Sequence, residues 1–445
     1  MKYVEPIKSI FLTFLVLLSI YLTFLIWNYE PEYEFLEKTD AEQVAIGQET
    51  IGGEKSFRDV VRPYKTLFMK DEVIYGSVSV NTIEQMIDLL SVMELGNIRL
   101  AQDNANAKVV NNLMYGKNQS VLFFNTTIPL ETLNTVLNFN QKDIENVQFD
   151  RIVMEMSNLI SNGTVELRFI NTKANVVYRA TATVENEQNI ARIIEEQIKD
   201  SFEYIRVNRE GELALFLPKN PSDVIQFTYI IEEMSQDELT SALFTNASIL
   251  QKTSEGNQDK YIGAMSLMTF DKASKTMNFV NSQAESSQID PAGKLLNDTF
   301  NFVNDHGGFT ADFRVSSIDP VQKSVEYQLF FQGHPIYSTS ILTRIVTTWG
   351  ENSIFRYRRP YYQLDTDITS EKMIKQLESG EEVLEYLNEK IASPNSVEDV
   401  MIGYYLVPDS NPRLFVLQPS WFAVSDNSWT RLTSQTEGGI ERGLE

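Results

Sequence analysis

Apolar character runs unbroken in one place, Ser9 to Trp27 (SIFLTFLVLLSIYLTFLIW); beyond it, apolar and polar positions alternate in short blocks. The run holds no charged residue and, at roughly 19 residues, is long enough to cross the ~30 Å hydrocarbon core of a bilayer as a helix. Pro6 stands just ahead of it, where the first N–H groups of a helix have no partner to lose. Lys2 and Lys8 precede the run and Glu30, Glu32, Glu34 and Glu37 follow it, while Tyr21, Trp27 and Tyr29 gather at the far end. Lysines held on the cytoplasmic side and aromatic rings at the interface predict a cytoplasmic stub over 1–8, a single transmembrane helix over 9–28, and the rest of the chain outside. A cleavable signal would have a shorter apolar stretch, ~7–15 residues, ending in small residues. Leu25-Ile26-Trp27-Asn28-Tyr29 is bulky instead.

Past the span the pattern predicts a mixture of helices and short strands. Asn81 with Glu84 three residues on resembles a capping box, and Ile83, Met86, Ile87, Leu90 and Met93 follow at helical spacing. Gln102 to Gln119, rich in Asn, Gln and Ala, reads as an exposed loop; Val121 to Phe124 reads as a buried strand, and Pro129 as the opening of a helix. Thr164–Ile170 and Asn175–Val184 form a predicted hairpin. A helix over Glu187–Ile198 precedes a strand pair, Phe202–Val207 and Leu213–Leu217. Ser235 to Glu238 opens another helix, and Tyr261–Phe270 with Thr276–Val280 reads as an antiparallel pair. The last third starts with a helix over Gly293–Val303 closed by Gly307-Gly308. Strands follow at 309–315, 325–331, 336–340, 345–349 and 354–357. Ser370 reads as the cap of a helix carrying Met373, Ile374 and Leu377; a further helix spans Glu381–Ile391; strands at 401–407 and 413–424 close the chain before a loose polar tail. Hairpin spacing recurs and regular βαβ alternation does not, so the expectation is α+β: a single N-terminal transmembrane helix followed by two or three extracytoplasmic modules of antiparallel sheet with helices. Their predicted extents are 29–205, 206–290 and 291–445.

Composition narrows the chemistry. With 61 acidic and 38 basic residues the net charge is −23, which argues against nucleic acid or anionic lipid as the main partner. Cysteine is absent, so thiol nucleophiles, thiolate zinc sites and disulfides are excluded, and an exported domain must be held by packing alone. His306 and His334 are the whole histidine complement, too few for a histidine metal cluster, and neither lies in H-E-x-x-H spacing. Phosphate-binding glycine loops are missing. Asp365-Thr366-Asp367 resembles the start of a calcium loop, but the sixth position is Ser370 and the twelfth Gln376, so a polar lead-in to a helix explains it. The acid pairs Glu232-Glu233 and Glu381-Glu382 could face a glycosidic bond, but adjacent pairs are expected among 61 acids. No catalytic residue, metal site or cofactor is predicted.

Two constellations bear on partners. Arg356, Arg358 and Arg359 form the densest basic cluster and could grip an anion through a guanidinium fork, or simply make one solvated strand face. In the span, Ser9, Thr13, Ser19 and Thr23 fall within about a third of the helix circumference at 100° per residue. Val16, Ile20 and Trp27 share that face. Small hydroxyl residues in a stripe let another helix approach and hydrogen-bond across the contact; alternatively each hydroxyl bonds its own i−4 carbonyl and faces lipid.

The chain resembles the YycH-type regulators of the WalK (YycG) sensor kinase of low-GC Gram-positive bacteria. The resemblance lies in Glu5-Pro6-Ile7-Lys8, the span, and Trp27-Asn28-Tyr29-Glu30-Pro31. It continues in Tyr327 to Phe330, Gly333-His334-Pro335-Ile336-Tyr337, Tyr357 to Pro360, Gly403 to Leu406 and Leu417-Gln418-Pro419-Ser420-Trp421. The C-terminal third is also similar to the companion protein of that system, YycI. What the resemblance implies is a non-enzymatic, single-pass membrane protein that contacts a sensor histidine kinase and a YycI-like companion and modulates a two-component system controlling cell-wall metabolism. An anchored cell-wall hydrolase using paired carboxylates and an extracytoplasmic binding or assembly module are the competing readings.

Overall fold

The computed structural model describes residues 16–19, 21, 34–35, 55–432 and 442–443, apart from short internal segments at 134–135, 140–146, 245–249, 283–290, 352, 370–372, 392 and 426–427. Two sheet systems divide these residues. The first takes its strands from 65–218 and the second mainly from 222–432.

The first lobe is an antiparallel sheet at whose centre lie Lys65–Lys70, Gln119–Pro129, Gln148–Glu155, Thr164–Asn171 and Val176–Thr183. The strand run Val121-Leu122-Phe123-Phe124 is apolar throughout because both sheet faces are covered. Phe68, Leu122, Ile152, Met154 and Phe169 face the helices Val80–Ser91 and Glu187–Lys199 through Ile83, Met86, Ile87, Ile190 and Ile194. Leu67, Met69, Val121, Phe123 and Val153 face the other way, where Val110 and Met114 of the helix Ala107–Met114 cover them. Successive residues of a strand point to opposite faces, so a strand buried on both cannot alternate in polarity. Each such Leu or Phe contributes about 1.5–3 kcal/mol by leaving water.

The second lobe is a larger, mostly antiparallel network. The strand Ser222–Glu233 joins its parts, pairing along its length with Met373–Leu377, Leu414–Ser425 and Tyr362–Asp367. Of the segment 206–290, Phe202–Val207 and Leu215–Pro218 pair within the first lobe, whereas Gln251–Glu255, Gln258–Ile262, Ser266–Asp271 and Thr276–Asn281 form a meander in the second. The helix Ala292–Asp305 buries Leu295, Leu296, Thr299 and Val303, and Gly380–Lys390 starts from a complete capping box in which Ser379 and Glu382 exchange bonds.

Several local expectations change. The polar stretch 102–119 contains the helix Ala107–Met114, whose N-cap Asn106 accepts from the Val109 N–H at 3.1 Å; the Asn-rich sequence is the outer face and the cap. The helix expected from Asn81 begins at Val80, with Ser79 as its N-cap. Pro129 opens only a short 3₁₀ turn, Leu130–Leu133. Met373–Leu377 is a strand and not a helix, because pairing with Ser222–Gln226 overrides its local spacing. Tyr261–Phe270 is two strands folded at Gly263. Ser428–Leu432, expected in a loose tail, is a strand that buries Trp429 and Leu432.

The lobes meet through chemistry as well as packing. Leu215 and Leu217 from the first share one apolar cluster with Leu377, Val383, Leu387, Val400 and Trp421 from the second. Lys65 and Asp399 form a buried ion pair at 2.7 Å across the junction, and the Tyr64 hydroxyl donates to the same carboxylate. Gly333 turns with φ +84°, and a Cβ there would stand 2.0 Å from the Val78 carbonyl oxygen of the first lobe. Glycine meets both demands at once, a left-handed turn and backbone contact between lobes.

Candidate functional site

Of the stripe on the apolar span, Val16 and Ser19 fall among the described residues; Ser9, Thr13, Ile20, Thr23 and Trp27 lie outside them. Residues 16–19 and 21 are helical, with Val16 51 %, Leu17 61 %, Leu18 40 % and Tyr21 59 % exposed, so these four side chains are not covered by the lobes. Among the described residues no helix is long and apolar enough to cross a membrane.

The three arginines are not brought together. On the strand Ile354–Pro360, Arg356 is exposed and Arg358 half-buried, while Arg359 is completely buried on the opposite face. Arg359 donates to the Pro360 carbonyl at 3.1 Å and the Tyr357 hydroxyl at 3.0 Å, beneath the Gly307 turn. The acid pairs have local tasks. Glu233 holds Lys275 at 2.5 Å and Glu232 accepts from Gln363 at 2.7 Å, on opposite faces of one strand; Glu382 closes the capping box. Asp367 accepts from the Thr369 N–H at 2.9 Å. Among the described residues no three His, Asp or Glu side chains converge as metal ligands.

Two hollows lie along the lobe junction. The polar one is a cleft of about 560 Å³. Its first-lobe wall includes Tyr64, Asn125, Thr126, Thr127, Asp150, Arg151 and Arg209, the last on the loop joining Phe202–Val207 to Leu215–Pro218; its second-lobe wall includes Tyr337, Arg344, Asp399 and Trp429. Asn125 to Thr127 belong to the long strand Gln119–Pro129 at the point where its register with Gln148–Glu155 breaks, between Phe123 and Ile128. Four cationic and four acidic side chains line the cleft, so it is electrically balanced within a protein of charge −23. The cations are engaged: Arg151 with Asp150 at 3.0 Å, Arg344 with Glu326 at 2.9 Å, Lys173 with Glu398 at 3.7 Å, and Arg209 with the Val397 and Leu213 carbonyls at 2.8 and 2.9 Å. Tyr337 stacks on Trp429 with ring centres 5.3 Å apart, and both side chains are over nine-tenths buried.

The second hollow, about 750 Å³, is more apolar. Phe202 (75 % exposed), Tyr204, Ile225, Phe227, His334 and Tyr404 line it, and Phe227, Tyr229, Phe331 and Tyr404 pack edge to face beside it.

Sequence reasoning picked out none of the polar-cleft residues as a site, although Tyr337 lies in the quoted segment from Gly333. The walls come from segments far apart in the chain, and no spacing rule links them. The usable signal was the density of aromatic residues near the C-terminus.

Histidine sets a pH dependence. Burial pulls both imidazoles below their ordinary 6.5; His306 holds the Phe302 carbonyl at 2.8 Å and His334 the Ile402 carbonyl at 3.0 Å. The unfolded chain therefore binds more protons than the folded one just below pH 6.5, so stability is full above that value and declines as pH falls through the window down to the lowered values. Asp259 and Asp271, held below the ordinary carboxylate range, surrender their contributions only in stronger acid. Urea midpoints should drop between neutral pH and about pH 5.5, and replacing both histidines by asparagine should flatten that decline. An unchanged slope in the double variant would assign the decline to other groups.

These features define a class: a two-lobed, sheet-rich α+β protein with hollows at the junction. The family model described as YycH protein, N-terminal domain matches residues 5–199, and that of the YycH protein, C-terminal domain matches 212–438. The chain belongs to the YycH family. It is 22 % identical over 433 residues to the two-component system WalR/WalK regulatory protein YycH of Bacillus subtilis (strain 168), covering 94 % of each chain. The crystal structure of YycH from Bacillus subtilis superposes with a TM-score of 0.73 at 18 % identity, covering 86 % of this chain and 99 % of that one. The α+β architecture is thus shared over the 86 % of this chain that superposes.

Proposed function

We propose that this protein is a membrane-anchored regulator of a two-component sensor histidine kinase controlling cell-wall metabolism. It has no chemistry of its own and works through contacts of its N-terminal helix and its outer lobes with the kinase and a YycI-like companion. The observation that carries this reading is the pair of family matches spanning 5–199 and 212–438, together with a relative of matching length that is named as a WalR/WalK regulatory protein. The exposed apolar residues Val16, Leu17, Leu18 and Tyr21 support it, since apolar side chains left uncovered by their own protein call for lipid or another helix around them. In this reading Lys2 and Lys8 stay cytoplasmic and the two lobes lie outside.

The stripe is the test. Replacing Ser9, Thr13, Ser19 and Thr23 together by leucine keeps the helix apolar but fills the face of close approach. A control set changes Leu15, Leu18, Leu22 and Leu25 to isoleucine. Interhelical hydrogen bonds in membranes are worth about 0.6–2 kcal/mol each, so the fourfold change is needed for a clear effect. Co-purification with the kinase and companion, and a reporter of kinase output at matched expression, should fall in the first set and hold in the second. Equal behaviour would move the contact to the lobes.

A further inference from the structure

We propose that the apolar hollow at the lobe junction is a docking groove for an extended, apolar, lysine- or arginine-bearing segment of a partner protein, which adds as a strand to the unpaired edge of Ser222–Glu233. Over Ser222–Gln226 this strand pairs with Met373–Leu377, and its pairing with Leu414–Ser425 begins only at Phe227. Among the described residues, the other side of Ser222–Gln226 therefore carries no ladder. Ser222, Asp223, Val224 and Ile225 all line the hollow. Successive side chains of a strand point to opposite faces, so a hollow that touches four in a row runs along the edge and not over one face. Alternate N–H and C=O groups on that edge have no strand opposite them, and strand addition uses such groups as its template.

The walls supply what the side chains of an added strand need. Phe202 leaves a large apolar ring in water, and Phe227 and Tyr404 face the hollow from the second lobe. Ile374, directly opposite Ile225 on the neighbouring strand, is 60 % exposed, so the uncovered apolar surface continues past the hollow. Charge selects the occupant. Asp200, Glu203 and Asp223 line the hollow and no lysine or arginine does. Glu203 holds Lys219 at 2.6 Å, whereas the exposed Asp200 and Asp223 have no cationic partner among the described residues. The first turn of the helix Val80–Ser91 enters the wall at Val80 and Asn81, but a helix N-terminus carries only about half a positive charge. An acidic segment would meet two open carboxylates; a basic one pairs them at the rim. This inference deepens the regulatory reading, since it assigns one lobe surface to a partner.

The experiment titrates the full chain in nanodiscs calorimetrically with short acetylated and amidated peptides of threonine alternating with valine, leucine or tyrosine, with a lysine at each end. One comparator carries glutamate at both ends; another keeps lysine but is N-methylated at alternate residues, which removes the donors that strand pairing needs. At least one lysine peptide should bind saturably, one per chain, its glutamate form about tenfold more weakly, and its N-methylated form not measurably. Phe202→Ser should weaken binding about three- to tenfold, and Asp200→Asn with Asp223→Asn should erase the preference for lysine. All three positions are exposed, so these variants should keep the fold, which thermal melting checks. The proposal is overturned if no lysine peptide binds, if the N-methylated or glutamate form binds as tightly as its parent, or if binding is unchanged in every folded variant. Self-association of the peptide-free chain that Phe202→Ser abolishes would assign the groove to a second copy instead. Failure here leaves the kinase reading standing, because co-purification through the span is a separate measurement.

Discussion

Asp399→Asn should cost about 3–5 kcal/mol of folding stability, because it strips the counter-charge from a lysine that has nowhere to go. Lys65 comes from the first lobe and Asp399 from the second, with side chains only 4 % and 11 % exposed and the ammonium 2.7 and 3.0 Å from the two carboxylate oxygens. Burial already pulls Lys65 below its ordinary 10.5, with Asp399 opposing that pull. Without the carboxylate, the folded state favours the neutral amine still more. Lysine protonation then opposes folding at neutral pH, and the penalty eases as pH rises toward 10.5, where the unfolded chain also loses the proton. The variant should therefore regain stability in alkaline buffer relative to the wild type. Chemical denaturation at neutral pH and at about pH 9.5 reads this directly.

The same site separates a missing charge from a missing shape. Lys65→Met with Asp399→Leu removes both ions and should recover part of the loss, since buried ion pairs are often replaceable by apolar groups. It should not recover all of it, because the Tyr64 hydroxyl then loses its acceptor; adding Tyr64→Phe should return about 1–3 kcal/mol more. If Asp399→Asn alone were neutral, the pair would contribute nothing to holding the lobes together.

Much of the fold was legible because local signals and tertiary demands agreed. The hairpin 164–184, the strand pair 202–217, the helix ended by Gly307-Gly308 and the box at Ser379 each follow from residues adjacent in sequence. Where the two disagree, pairing wins. Met373 and Ile374 carry helical spacing but are held as a strand by Ser222–Gln226, 147 or more positions earlier in the chain. Gln148–Glu155 went unrecognised because a strand covered on both faces, with Arg151 among its members, shows no period-2 contrast. The arginine cluster failed as a unit for the opposite reason: strand geometry sends Arg359 inward and Arg356 outward, a split that charge density along the sequence cannot reveal. The polar cleft was invisible because it exists only once two sheets are docked, with Asn125 of the first lobe 212 positions before Tyr337 of the second.

Trp421→Ala should be about as damaging as loss of Asp399, and by a different physical route. Trp421 is 1 % exposed on the strand Leu414–Ser425, in the cluster that holds Leu215 and Leu217 of the first lobe against Val383, Leu387 and Val400 of the second. Truncating a fully buried tryptophan costs about 3–5 kcal/mol through lost burial and the cavity left behind. The indole also donates to the Glu378 carbonyl at 3.1 Å, next to the capping box that starts the helix Gly380–Lys390. Trp421→Phe keeps most of the volume and drops that bond, so it should cost about 1–3 kcal/mol and mark the polar share. Because the cluster spans the junction, the damage should spread to both lobes. Hydrogen exchange should quicken in Leu215–Pro218 and in Gly380–Lys390 together, while the first-lobe centre at Gln148–Glu155 keeps its protection. If Trp421→Ala quickened exchange only along its own hairpin, Asp399–Ser425, the cluster would be a satellite of the second lobe and the ion pair would carry the junction alone.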